Sequence, residues 1–317
     1  MQKLVTLALG QWQKNCLLCF MTEAIFTLKD DRKLSYAVYG PEDGMPVVYF
    51  HGTPSSRREI LLLKTYNVDF DAALFQAGIK IIAVDRHSLT TFDPRRSFQS
   101  FADDTMQLLQ HFKIKKCPVL CWSGGGPYAL AIAHKYPEVI EAVYILCGFT
   151  KRFDAEVVQQ MGSNKWYFRA ANYAPHLLQL GLNIVRRQKI ENLPQRSITG
   201  LPYRDHALLQ KGIKQLAGLT LKEATRKGAR SAVHEAASYY KDFGFSVAEI
   251  EQPIHYWWGT NDMSVVEAHA RHIEQHAQRP IMHYRNNEGH LSLYLKIFTD
   301  AVNIIALSHA KSTVVDT

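Results

Sequence analysis

Three side chains of this 317-residue chain have the types and order that acyl chemistry needs: Ser123, Asp262 and His290. A serine hydroxyl is a weak nucleophile until a base takes its proton. The base in turn works only when a third group fixes its tautomer and orientation. Ser123 ends an apolar run, Val119-Leu-Cys-Trp122, and is followed by Gly124-Gly-Gly126 and a helix-compatible stretch, Tyr128 to Lys135. A strand, a sharp turn and a helix in that order would hold the serine in a strained, exposed backbone conformation. Its neighbours must be small, because strand and helix approach closely there. The helix start also turns free N–H groups toward the place where an oxyanion would develop. Position 121, where a G-x-S-x-G pattern has its first glycine, is Cys121, itself a small residue. A glycine-rich turn after a strand can also cradle phosphate, but the chain has neither G-x-x-x-x-G-K-[ST] nor an early G-x-G-x-x-G.

Asp262 closes the segment Gly259-Thr-Asn-Asp262 after the apolar run Ile254 to Trp258. His290 closes Arg285-Asn-Asn-Glu-Gly-His290 after Pro280 to Tyr284. In a parallel sheet, groups that do chemistry belong on loops at the carboxyl ends of strands, and both segments read as such loops. The roles follow: Ser123 attacks an acyl carbon, His290 takes and returns its proton, and Asp262 orients His290. The backbone N–H groups of Gly124, and of Gly52 or Thr53, are the expected oxyanion donors. His51 is read as a support for its loop. Asp154, soon after the Val143 to Leu146 run, is the competing position for the acid. With 14 histidines in the chain, His290 is set apart only by its place after Gly289 and a strand. No His, Cys, Asp or Glu cluster has metal-ligand spacing, and neither a metal nor a cofactor is expected.

The elements that must position these groups can be read in outline. Ala24 to Leu28 and Leu34 to Tyr39 suggest an antiparallel pair, and Val47 to Phe50, Ile79 to Val84, Val119 to Trp122 and Val143 to Leu146 are apolar strands. A helix lies within Leu61 to Ala77, ended by Gly78, and an amphipathic helix is expected over Phe98 to Phe112. Apolar strands separated by helices imply a parallel sheet covered on both faces. The alternation stops after Gly148. Residues 151–247 show helical patterns only (Asp154 to Met161, Lys165 to Arg187, Asp205 to Leu216 and Leu221 to Tyr240), broken at Pro175, Pro194 and Pro202. Strands resume at Ile254 and Pro280, and a long helix, Leu291 to Leu307, closes the pattern. A helical block between two strands of one sheet reads as a cap. Of the aromatics, Trp166, Tyr167, Phe168, Tyr173, Tyr239 and Tyr240 suit cap packing better than a pocket lining, and Trp122, Trp257 and Trp258 suit the core.

Composition narrows the class. Hydrophobic residues at 47% and charged residues at 21% describe an ordinary globular protein. The formal charge of +8 invites a nucleic-acid reading, but the basic clusters are short and join no aromatic-interleaved stripe, so no nucleic-acid partner is expected. The five cysteines have no framework spacing, and Cys16-Leu-Leu-Cys19 stands without a second pair. Free thiols and a cytoplasmic location are the expectation. Residues 1–20 read as an N-terminal extension, and no uninterrupted apolar stretch reaches ~18 residues, so no stable membrane insertion is expected.

Five segments in register carry a resemblance: His51-Gly-Thr-Pro54, Asp85-Arg86, Ser123-Gly-Gly-Gly-Pro-Tyr-Ala-Leu, Gly259-Thr-Asn-Asp262 and Glu288-Gly-His290. Over roughly residues 24 to 307 the chain resembles the α/β-hydrolase superfamily in its lidded, esterase-like branch, matching in turn that family's oxyanion loop, Asp-Arg turn, nucleophile elbow, acid loop and histidine loop. The resemblance implies a mostly parallel eight-stranded sheet flanked by helices, with residues 21–150 and 248–317 as the core and 151–247 as an inserted helical cap. It implies a serine hydrolase of a small or medium carboxylic ester. Amide or C–C bond hydrolysis, acyl transfer by the same triad and a non-catalytic ligand-binding role are the alternatives. The expected partner is a small acyl substrate, and a homodimer is compatible with the reading. Two departures stand out. Family members usually continue Asp-Arg with Pro-Gly-x-Gly, where this chain has His87-Ser-Leu-Thr-Thr-Phe-Asp93, and peptidase-like members carry His-Gly-Gly-Pro-Gly where this chain has His51-Gly-Thr-Pro-Ser.

Overall fold

The computed structural model describes residues 21–86, 92–189 and 202–315, with side chains described as far as residue 310. Eight strands form one sheet in the order β1-β2-β4-β3-β5-β6-β7-β8. β1 (Met21–Thr27) and β2 (Lys33–Tyr39) are the antiparallel pair, and β2 also runs antiparallel to β4 (Ile79–Val84). β3 (Met45–Phe50), β4, β5 (Cys117–Trp122), β6 (Ile140–Leu146), β7 (Ile254–Gly259) and β8 (Pro280–Arg285) are parallel. All six residues of β5 are buried. A central parallel strand covered on both faces has no solvent side on which to place polar residues.

Two apolar layers lie against the sheet. Val48, Phe50, Val119 and Cys121 point into a layer shared with α3 (Phe98–His111), α4 (Gly126–Lys135) and α10 (Glu267–His276). Val47, Tyr49, Leu120 and Trp122 point into the other, shared with α2 (Phe70–Ala77) and α11 (His290–Val315). The alternation along β3 and β5 is the period of two that a strand imposes. The Leu61 to Ala77 segment resolves into the single turn α1 (Leu62–Thr65) and α2, which is capped by Asp69 and stopped by Gly78 at φ 61. By length and mean hydropathy (1.4 over its apolar window) α11 could cross a membrane, but its inward side chains Leu293, Tyr294, Ile297, Phe298 and Ala301 are core residues.

Among the described residues between β6 and β7 the regular elements are helices: α5 (Ala155–Gln160), α6 (Lys165–Tyr173), α7 (Pro175–Val185), α8 (Tyr203–Ala217) and α9 (Arg230–Ser238). The pattern over Leu221 to Tyr240 predicts one helix, and the structure corrects this. Gly218–Lys222 continues α8 as a π-helical turn, the chain then reverses through Gly228 at φ 123, and α9 starts at Arg230. Among the aromatics of this block, Phe168 and Tyr239 are buried whereas Trp166 and Tyr173 face solvent. Residues 1–20 with Cys16 and Cys19, the loop 87–91 and the break expected at Pro194 lie outside the described residues. Cys117, Cys121 and Cys147 are free and buried.

β3 has β4 on one side and β5 on the other, so successive crossovers leave in opposite directions. The crevice outside the carboxyl ends of such a strand pair is where open α/β sheets bind ligands. The segments that begin at His51 and Ser123 both start there.

Candidate active site

Ser123 follows β5 directly and has φ 53, in the left-handed region that a side chain enters only at a cost of about 1–3 kcal/mol. Packing holds it there. A Cβ on Gly124 would overlap the Thr53 hydroxyl and the Tyr239 hydroxyl, and one on Gly125 would overlap the Phe50 carbonyl, so the turn needs glycine for close approach. The small size of Cys121 has a visible role. Its side chain is fully buried and lies against the Gly125 backbone, where a larger group would push strand and turn apart.

The three residues singled out in the sequence come together. His290 Nε2 lies 2.9 Å from Ser123 Oγ, and His290 Nδ1 lies 2.7 Å from Asp262 Oδ2. The other Asp262 oxygen accepts the N–H groups of Ser264 at 2.7 Å and Val265 at 2.8 Å, which fixes the carboxylate. An acceptor at Nδ1 fixes the tautomer with Nδ1–H, so Nε2 is left to accept the serine proton. Asp154 is elsewhere: its carboxylate caps α5 through Val157 N–H at 2.8 Å and pairs with Lys151. Trp122, assigned by sequence only to the core, stacks its indole on the His290 ring, with centroids 5.0 Å apart and planes 24° apart. Burial disfavours the imidazolium. The charge and hydrogen bond of Asp262, with Asp205 and Glu59 further off, outweigh this and hold His290 above the ordinary histidine value.

The loop expected to supply oxyanion donors differs in one respect from expectation. Gly52 N–H donates to the Glu59 carboxylate at 2.8 and 3.0 Å, so it is not a free donor. Glu59 is fully buried and also accepts the Tyr49 hydroxyl at 2.6 Å; burial pushes its carboxyl up to about 7. Thr53 and Gly124 therefore remain as the N–H pair on the two sides of the turn. His51 supports its loop: its Nε2 accepts Arg86 N–H at 3.4 Å, so its Nδ1 donates to the Gly52 carbonyl at 2.8 Å.

Several residues near this site escaped sequence reasoning. Arg86 is buried, and its guanidinium donates to the His51 and Gly52 carbonyls, to Thr53 Oγ1 at 2.9 Å and to Glu235 at 2.7 Å. Burial opposes its charge, but Glu235 keeps it above the ordinary guanidinium value. Thr53 Oγ1 donates to Glu235 and meets the Tyr239 hydroxyl at 2.5 Å, and that hydroxyl donates to the Gly124 carbonyl at 2.9 Å. Glu235 and Tyr239 come from α9 and the residue after it, so the inserted helices hold both sides of the turn. Asp205, on α8, accepts the N–H groups of His290 at 2.6 Å, Leu291 at 3.2 Å and Ser292 at 2.9 Å. An anion on the first turn of α11 is placed where the helix dipole favours it. The Asp-Arg pair of the sequence gave a hint of Arg86. Nothing local marks Asp205 or Glu235.

One group of potential metal ligands occurs among the described residues, Cys147 with Asp262 and His290. Asp262 Oδ2 and His290 Nδ1 already bind each other, and burial keeps the Cys147 thiol protonated, well above its ordinary value.

The fold, the switch-point site and the strained serine define an α/β hydrolase. The family model described as alpha/beta hydrolase fold matches residues 45–296, and the chain belongs to that family. YcgS, an uncharacterized hydrolase of Bacillus subtilis, is 22% identical over 278 residues, which is 83% of this chain and 89% of that protein. Among solved structures, the epoxide hydrolase CorEH superposes with a TM-score of 0.65 at 18% identity, over 91% of this chain and 98% of that one. A thermophilic esterase from Thermogutta terrifontis does so with a TM-score of 0.61 at 16% identity, over 92% and 98%. At these identities the structures speak to the fold.

Proposed function

We propose that the protein hydrolyses a carboxylic ester through an acyl-enzyme on Ser123. One observation carries the reading: a hydrogen-bonded relay from Ser123 Oγ through His290 to Asp262, at 2.9 and 2.7 Å, ending on a serine whose backbone is held at φ 53. His290 takes the Ser123 proton as the oxygen attacks the acyl carbon. The tetrahedral oxyanion is received by the N–H groups of Thr53 and Gly124. His290 then gives the proton to the leaving alcohol. In the second half it takes a proton from water as the water oxygen attacks the acyl carbon, and returns that proton to Ser123 Oγ as the acyl–Oγ bond breaks and the acid leaves. Asp262 stays ionised throughout and stabilises the imidazolium. A serine oxygen at position 123 supports acyl transfer over the carboxylate-nucleophile chemistry of related folds. Ser123 is only 8% exposed, and Glu235 and Tyr239 of the inserted segment reach Thr53 and Gly124 beside it, which supports a capping role for the inserted helices.

The test is labelling by a fluorophosphonate probe with the site mapped by mass spectrometry, alongside turnover of p-nitrophenyl esters. Wild type is expected to incorporate one probe at Ser123 and to hydrolyse the esters, and Ser123→Ala to lose both. A probe mapped to another residue, or turnover surviving in Ser123→Ala, overturns the assignment.

A further inference from the structure

We propose that α7 docks the protein on an anionic lipid surface, and that the ester cleaved at Ser123 is drawn from that surface. The second half rests on the reading of the site as a serine hydrolase; the first does not.

α7 is apolar on two sides. Leu178 and Leu182 pack inward against the core, as a covering helix requires. Leu177, Leu180 and Ile184 point the other way and are 72, 60 and 53% exposed. Steps of about 100° bring 177, 180 and 184 onto one stripe about 60° wide. No residue of α7 is fully buried. On α6, which precedes it, Trp166 is 64% and Tyr173 79% exposed, and Arg169 and Lys165 lie against the Trp166 ring. An exposed contiguous apolar stripe of this kind marks an interaction face, and amphipathic aromatics with cationic neighbours are the side chains that suit a lipid–water boundary.

Charge decides the occupant. Residues 151–247 hold sixteen Lys and Arg against seven Asp and Glu, while the rest of the chain holds twenty-one against twenty-two. The whole positive excess therefore resides in the inserted block. Three of its seven acids are turned to the core: Asp205 on α11, Glu223 on Arg57 and Arg58, and Glu235 on Arg86. From Met161 to Lys189 there is no acidic residue, and Arg187 and Lys189 are exposed just past the end of α7. Two such faces would repel each other, which counts against a second copy as the occupant. A nucleic acid would leave the leucine stripe unexplained. An anionic bilayer surface satisfies both features, because the apolar side chains enter the acyl boundary while the cations meet headgroups.

The experiment is flotation of Ser123→Ala protein, which cannot turn over lipid, with vesicles of phosphatidylcholine alone or with about one quarter phosphatidylglycerol. Binding is expected on the anionic vesicles and not on the neutral ones, and is expected to weaken as salt rises from ~0.1 to ~0.5 M. Leu180→Glu with Ile184→Glu is expected to weaken it at least tenfold. Arg187→Gln is expected to weaken it about fivefold, the weight of one surface cation. In the wild-type background the leucine–isoleucine double variant is expected to keep its rate on soluble p-nitrophenyl acetate, which shows that it folds. Equal binding to neutral vesicles, no flotation at all, or a concentration-dependent dimer abolished by Leu180→Glu overturns the docking face. If vesicles bind but no ester is ever cleaved, the docking face stands and the catalytic reading falls; if p-nitrophenyl acetate is cleaved but vesicles do not bind, the reverse holds.

Discussion

His290 serves as a base only while neutral, so the charges around it set the pH at which the proposed reaction starts. Asp262 holds its pKa above the ordinary 6.5, and Asp205 adds to this from the first turn of α11. The sign is plain. A raised value leaves the imidazole protonated to higher pH, so kcat/KM should fall as pH drops through a point above about 6.5, earlier than an unperturbed histidine would allow. Asp205→Asn keeps an acceptor for the α11 N–H groups but removes the negative charge. The acid limb of the kcat/KM profile is then expected to move to lower pH, and stability to fall by about 1–2 kcal/mol from the weakened cap. A profile that keeps its midpoint in Asp205→Asn would show that Asp205 only fastens the helix. Sequence order, flanking strands and glycines made Ser123, Asp262 and His290 legible. Asp205 was not, because its contact with His290 spans 85 residues and an aspartate near a helix start reads equally well as a local cap.

At the scale of elements, α9 matters more than its pattern suggested. Glu235 and Tyr239 are four residues apart, so a helix stacks them on one face. That face meets Arg86, Thr53 and the Gly124 carbonyl, the groups that set the two sides of the proposed oxyanion site. Burial and the Glu235 charge push the Tyr239 hydroxyl well above its ordinary value, so it remains a neutral donor. Tyr239→Phe removes the donor to Gly124 without opening a cavity. It is expected to lower kcat by about 10–100-fold, or ~1.4–2.7 kcal/mol in the barrier, with little change in KM, since in the proposed reaction the loop meets the developing oxyanion and not the ground state. An unchanged kcat in steady-state ester hydrolysis would remove α9 from the chemistry. The sequence showed helices here but not their docking. Helical periodicity fixes which face is apolar, whereas the partner of a polar side chain 149 residues away has no local signature. The same limit explains Gly52: a glycine beside His51 reads as an oxyanion donor until Glu59, seven residues on, is seen to take its N–H. It also explains the break at Gly228, because a glycine inside a helical pattern is tolerated or not according to the turn that follows.

For the molecule as a whole, the question is whether the inserted helices form a separate unit. Their apolar side chains do not make a second core. Phe168, Val233, Ala236 and Tyr239 join Phe98, Phe149 and Phe153 in the layer that covers β5 and β6. Three polar anchors add to this: Asp205 on α11, Glu235 with Tyr239 on Arg86, Thr53 and Gly124, and Glu223 on Arg57 and Arg58, where Asp85 and Glu23 complete a largely buried ion network. Elements that share one apolar layer lose their packing together. Heating is therefore expected to give one transition, with calorimetric and van't Hoff enthalpies in agreement and with near- and far-ultraviolet circular dichroism changing together. Glu223→Gln leaves both arginines with Glu23, and Arg57 with Asp85 as well, but removes one charge-assisted partner. It is expected to cost about 1.5–3 kcal/mol and to lower Tm while preserving the single transition. If Glu223→Gln instead splits the melt in two, with the near-ultraviolet signal lost first, the insertion unfolds on its own and the anchors rather than the shared core hold it over Ser123.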